Sequence, residues 1–131
     1  MIVVERERFE ELVRLALQTL PQEIAERIDN VDVEVQDWPE PNQLASARVP
    51  RGRTLLGLYQ GIPLTKRTTG YNMVPPDRII IFQGPLERAA RSDDELVGRV
   101  RDVVIHEVAH HFGISDDRLR EIEAARRRTG G

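Results

Sequence analysis

The chain has 131 residues, enough for one domain with a single core and too few for a separate substrate-binding domain, so residues 1–131 are expected to fold as one unit with a shallow site. Its formal net charge of −3, with 31% charged residues of mixed sign, creates no field that would draw in nucleic acid or an anionic membrane, and neither is expected as a partner. Cysteine is absent, which excludes disulfides and thiolate ligands and leaves imidazole and carboxylate as the donors for any metal.

The opening residues Met1 to Arg8 hold no apolar core of a signal peptide, and no later run approaches the ~18 apolar residues of a membrane span, so a soluble, cytoplasmic protein is expected. Phe9, Leu12, Val13, Ala16, Leu17 and Leu20 fall on a 3.6-residue period and predict an amphipathic helix over 6–20. Pro21 suits the start of a second short helix reaching about Arg27. Val31-Asp32-Val33-Glu34-Val35 then alternates as a strand with one wet face. Residues 37–53, with Pro39, Pro41 and Pro50, read as a loop. Residues 55–59 read as a second strand whose Gly57 marks a bulge or a close backbone approach. A long connection is expected from Gly61 to about Asp77.

Arg78-Ile79-Ile80-Ile81-Phe82 is a short apolar, β-branched run and predicts a strand covered on both faces. Gly84-Pro85 ends it, and Pro85 to Ala90 suits one or two helical turns. Ser92 or Asp93 caps the next helix, where Asp93, Asp94 and Glu95 complement its positive end. The order α-α-β-β-β-α-α around one core makes the fold class α+β.

All three histidines lie within this helix, in the run His106-Glu107-Val108-Ala109-His110-His111. With His106 at zero and 100° per residue, Val97, Val104, Val108 and Phe112 cluster on the opposite side, with Ile105 on their flank, and that stripe is expected to pack on the sheet. His106 and His110 then project together, able to grip one Zn²⁺, while Glu107 beside them can act as a base on metal-activated water. Gly113 is suited to end the helix in the left-handed conformation and turn the chain back beneath the histidines. Asp116 is placed to be the third ligand, leaving a fourth position for water. Asp116 and Asp117 also suit a helix N-terminus without any metal, and Asp117 is the alternative ligand. Ser115 to Asp117 open a final helix bearing Leu119, Ile122 and Ala125.

The run His106-Glu107-x-x-His110-x-x-Gly113-x-x-Asp116 resembles the zincin metallopeptidases, in the elongated form whose third ligand follows a glycine turn. Leu56-Gly57-Leu58-Tyr59-x-Gly61-x-Pro63-Leu64, Pro76-Asp77-Arg78-Ile79, and the motif with His111, Phe112 and Asp117-x-Leu119 are similar to the small bacterial mini-zincin family, from about residue 53 onward. The resemblance implies a minimal zincin-like domain: an active-site helix and further helices packed on a small mixed β-sheet. It implies zinc held by His106, His110 and Asp116, with Glu107 as general base. The metzincin methionine turn is missing, since Met1 and Met73 both precede the motif, and only 15 residues follow Asp116.

These readings lead to a zinc-dependent metallopeptidase acting on a peptide or protein substrate, and alternatively to a non-catalytic zinc-stabilised protein-binding module. Tyr59, Tyr71 and His111 are candidates for substrate or oxyanion contact; His111, four residues after Glu107, equally suits packing beside it. Asp102 is one turn before His106 and could orient its ring. A strand over 54–59 could take an extended peptide by strand addition, or be protected against pairing by Arg51, Arg53 and Gly57.

Overall fold

The 3.6-residue spacing near the N-terminus becomes a buried face: Phe9, Leu12, Val13 and Ala16 of helix α1 (Arg6–Gln18) all lie in the core. A computed structural model of the chain describes residues 1–49, 54–61 and 77–128. Pro21 precedes helix α2 (Gln22–Arg27), as its fixed φ and missing N–H favour. Among the described residues, three strands and six helices form an α+β domain with one core.

Strands β1 (Asp32–Gln36), β2 (Gly57–Gln60) and β3 (Arg78–Phe82) make a mixed sheet in the order β1-β3-β2, with β1 parallel and β2 antiparallel to β3. The apolar run makes the central strand: Ile79, Ile80, Ile81 and Phe82 are fully buried, so both faces are covered as expected. Ile79 and Ile81 face the helical core together with Val33, Val35 and Tyr59, while Asp32 and Glu34 alternate to the exposed side. β2 was expected over 55–59 but is shifted toward its C-terminal end. Its partner strand stops at Phe82, whose N–H donates to the Leu56 carbonyl at 3.1 Å, so the ladder ends before it reaches Leu55.

The expected loop over 37–53 contains a helix, α3 (Pro41–Ser46). Pro41 occupies its first turn, where no N–H is needed, and the Glu40 N–H donates to Gln43 Oε1 at 2.8 Å in a capping box. Residues 50–53 of that loop, and 62–76 of the expected long connection, lie outside the described residues.

Helix α4 (Gln83–Ala89) starts directly after β3, two residues before Pro85, because a proline in the first turn forfeits no helical hydrogen bond. Helix α5 (Asp93–Phe112) is the spine of the domain and lies against α1, α2, α4, β2 and β3. Ser92 Oγ caps it by accepting from Glu95 N at 3.1 Å, and Asp93, Asp94 and Glu95 sit at its positive end.

The buried arc of α5 differs from the expected stripe. Leu96, Val100, Val104, Ile105, Val108 and Ala109 are buried, Val97 is only partly covered, and Phe112 is 40% exposed. The helix is clamped between α1 and the sheet, so its buried arc is set by two neighbours rather than one. Phe112, in the last turn, instead meets the His111 and Tyr59 rings edge-on and carries the Arg27 guanidinium 5.2 Å above its face. The last helix, α6 (Asp116–Arg128), returns along α5 and buries Leu119 and Ile122. No helix among the described residues is long and apolar enough to cross a membrane.

Candidate metal centre

The position of the candidate centre is set by close packing of α5 on the edge strand β2. A Cβ at Gly57 would lie 2.3 Å from Val103 Cγ1, so only glycine lets the helix approach this near. The close-approach reading of Gly57 therefore holds. One helical turn beyond Val103, this approach sets Glu107 against the strand.

Glu107 Oε1 accepts a hydrogen bond from the Tyr59 backbone N–H at 2.9 Å. The phase of the ladder explains why that N–H faces the helix. Leu56 bonds to Phe82, so Leu58 and Gln60 also point at β3, while Gly57 and Tyr59 turn their N–H and C=O groups to the outer edge. Glu107 thus occupies one place on the edge of the sheet, which is itself a form of edge protection. Two clefts adjoin the carboxylate along this edge. One of about 330 Å³ is lined by Leu55, Gly57, Asp102, Val103 and His106, and one of about 400 Å³ by Ala47, Leu55, Leu58, Tyr59, His110 and His111.

His106 and His110 are both exposed on α5. His106 Nδ1 lies 2.7 Å from the Asp102 carbonyl oxygen, four residues earlier in the helix. A carbonyl only accepts, so Nδ1 is the donor, and in the neutral ring that tautomer leaves the Nε2 lone pair for a metal. Asp102 therefore orients His106 through its main chain rather than through its carboxylate, which is 3.7 Å from the Arg101 guanidinium.

Gly113 ends α5 with φ 70°, the left-handed value expected of it. Ile114 N donates to Ala109 O at 2.8 Å and Gly113 N to His110 O at 3.4 Å, the paired bonds of a Schellman turn. The turn leads into α6, whose cap is Ser115: its Oγ accepts from Arg118 N at 3.1 Å. Capping was the rival role for Asp116 and Asp117, and Ser115 fills it. Asp116 is exposed in the first turn, and Asp117 pairs with Arg120. On donor chemistry, two imidazoles and a carboxylate fit zinc and not a thiolate-type site. Among the described residues, however, no three His, Asp or Glu side chains are gathered closely enough to hold an ion, and that includes His106, His110 and Asp116.

The substrate-contact candidates separate. The Tyr59 hydroxyl donates to Asp77 Oδ2 at 2.7 Å, so what Tyr59 turns to Glu107 is its backbone N–H. The His111 ring stacks on Tyr59 with centroids 3.9 Å apart, and its Nε2 is 4.0 Å from Asp77 Oδ2. Tyr71 lies outside the described residues. Two contributors were not singled out from sequence. Asp77 was visible only as part of a family-like segment. Arg101, mostly buried, donates to Glu123 at 2.8 and 3.0 Å and to the Thr19 carbonyl at 3.3 Å, fastening α6 to α5 and the end of α1. A second clasp joins α6 to α2: Arg118 donates to Glu23 at 2.6 Å, and Glu23, then Glu121, hold its guanidinium above its ordinary pKa.

A single α+β domain whose HExxH helix lies on a small mixed sheet is the architecture of a minimal zincin. The chain belongs to the zincin-like metallopeptidase family, whose profile matches residues 28–126. A conserved hypothetical protein from Thermo thermophilus is similar in structure, with a TM-score of 0.55 and 23% identity over 83% of this chain and 94% of that one. At that identity the likeness is one of fold. Comparison with curated proteins gives no match.

Proposed function

We propose that this chain is a zinc-dependent peptidase that hydrolyses peptide bonds, with Glu107 as general base and with His106, His110 and Asp116 as the ligands, which would have to draw together when the ion binds. The observation that carries the reading is the exposed His106/His110 pair on α5, with His106 Nδ1 tied to the Asp102 carbonyl, beside a carboxylate fixed on the sheet edge. A zinc ion bound there supplies a Lewis acid that polarises a carbonyl and makes water nucleophilic near neutral pH. Membership of the zincin-like family supports that chemistry.

The chain's own residues would work as follows. The Tyr59 N–H fixes Glu107 Oε1 and leaves Oε2 to take the proton from the attacking water and return it to the leaving amine. The 330 and 400 Å³ clefts on either side of Glu107 give room for side chains flanking the scissile bond. An extended peptide lying along the outer edge of β2 would pair with backbone groups other than the Tyr59 N–H, which Glu107 takes. Glu107 favours an enzyme over a pure binding module, because a metal site needs no such carboxylate and hydrolysis does.

The test is cleavage of a peptide library by zinc-loaded wild type and Glu107→Gln, with bound zinc measured in both. The proposal expects zinc in both and cleavage only by wild type, with Glu107→Gln slowed at least about 10²-fold. Zinc in both with no cleavage by either would point to the binding module.

A further inference from the structure

We infer that Asp77 is a positioning residue for Glu107, acting through Tyr59. Tyr59, Gly61, Asp77 and His111 come from three separated stretches of the chain, and none has a part in holding the ion or moving the proton, yet the fold brings them together beside Glu107.

Asp77 is the anchor. Its side chain is 15% exposed, and it sits just before β3 with its main-chain carbonyl accepting from Asp32 N at 3.0 Å, so its backbone is fixed to the sheet. Its Oδ2 accepts the Tyr59 hydroxyl at 2.7 Å. Tyr59 is thereby held at both ends of its side chain, since its backbone belongs to β2 and its ring lies against His111 at 3.9 Å with an interplanar angle of 20°. Gly61 completes the fit. A Cβ there would lie 3.1 Å from His111 Cε1, tighter than an ordinary contact, so a larger residue would press on the stacked imidazole.

The consequence reaches Glu107 through one bond. The Tyr59 N–H faces outward from the edge rather than into the ladder with β3, so the direction in which it points depends on how firmly residue 59 is held. With the Tyr59 hydroxyl tied to Asp77, the N–H stays aimed at Glu107 Oε1. Without the tie, the end of β2 can twist, as sheet edges do, and the carboxylate loses its fixed orientation. The hydrogen bond from Tyr59 to Asp77 and the stacking of His111 thus both bear on Tyr59, whose N–H in turn sets the aim of Glu107.

For its catalytic consequence the inference rests on the peptidase reading, but its structural content does not, and the experiment separates them. Amide hydrogen exchange is followed in wild type, Asp77→Ala, Asp77→Asn and Tyr59→Phe. The Tyr59 amide is expected to exchange about tenfold faster in Asp77→Ala and Tyr59→Phe, while the Leu58 and Gln60 amides, bonded to β3, keep their wild-type rates. Asp77→Asn, which retains an oxygen to accept the hydroxyl, restores most of the protection. Where wild type cleaves peptides, Asp77→Ala lowers kcat about tenfold with KM little changed, because Glu107 and not substrate binding is affected. Unchanged exchange at Tyr59 in both Asp77→Ala and Tyr59→Phe would overturn the inference. So would equal acceleration at Leu58, Tyr59 and Gln60, which marks general loosening of the strand. Absence of cleavage in wild type together with selective acceleration at Tyr59 leaves the positioning role standing and sinks only the peptidase.

Discussion

Gly57→Ala tests whether the candidate centre depends on direct contact between α5 and the edge strand. The added Cβ would stand 2.3 Å from Val103 Cγ1 and 3.2 Å from the Ile80 carbonyl oxygen, whereas carbon atoms rest about 3.5–4.0 Å apart. At least about 1.2 Å must be found, by rotating Val103 or by lifting α5 from β2. Valine has one strongly preferred χ1 in a helix, so rotation costs about 0.5–1.5 kcal/mol, and overpacking of this kind costs about 1–3 kcal/mol altogether. Taking about 2 kcal/mol, and roughly 3–5 °C per kcal/mol at this size, the thermal midpoint should fall by roughly 6–10 °C. Differential scanning calorimetry on Gly57→Ala, Val103→Ala and the double variant measures the coupling. Val103→Ala removes the struck methyl, so the double variant should recover at least about 1 kcal/mol relative to the sum of the two single effects. Additivity within about 0.5 kcal/mol would refute the close-approach argument, whatever the size of the single effects.

Substitutions at four other positions separate roles that lie near one another. Gly113→Ala, forced into φ 70°, should cost about 1–2 kcal/mol in a denaturation curve, and Gly113→Asn less, because asparagine tolerates the left-handed region. Ser115→Ala should cost about 1 kcal/mol through loss of the cap on α6 and leave zinc affinity within a few-fold, whereas Asp116→Ala should leave stability of the metal-free chain nearly unchanged and weaken zinc binding measured by competition with a chelator. The reverse pattern would make Asp116 the helix cap and remove it from the ligand set. Arg101→Ala, which strands Glu123 and the Thr19 carbonyl, should cost about 1.5–3 kcal/mol by urea denaturation; a loss below about 0.5 kcal/mol would show that this clasp does not hold α6.

Local pattern made much of the fold legible. The period of Phe9 to Ala16, the alternation of Val31 to Val35 and the β-branched run at Ile79 to Phe82 each led to the right element, because each pattern is the direct signature of the face it buries. Gly113 was equally readable, since a helix end in the left-handed region is a local demand. Phe112 was misplaced because a helical wheel assumes one neighbour, and α5 has α1 on one side and the sheet on the other. Helix α3 was missed because prolines read as loop outnumbered the short capping signal of Glu40 and Gln43.

The centre divides in the same way. That His106 and His110 share a face follows from their spacing, and that the face stands exposed follows from the apolar residues lying elsewhere on the helix. That Ser115 rather than an aspartate caps α6 could not be decided from three adjacent capping residues. The bond from Tyr59 N–H to Glu107 was beyond sequence, because it depends on which residues of β2 turn outward, and that phase is set by the register with β3. The aim of the Tyr59 hydroxyl at Asp77 likewise depends on a contact across 18 residues of chain.

The central claim, that the histidine pair with Asp116 forms a zinc centre served by Glu107, is tested most directly by metal content. Zinc would be measured by atomic spectroscopy in wild type, Glu107→Gln and His106→Ala after equilibration with zinc at neutral pH and removal of free ion. About one Zn²⁺ per chain is expected in wild type and in Glu107→Gln, and none in His106→Ala. Wild type without zinc, or His106→Ala retaining it in full, would contradict it.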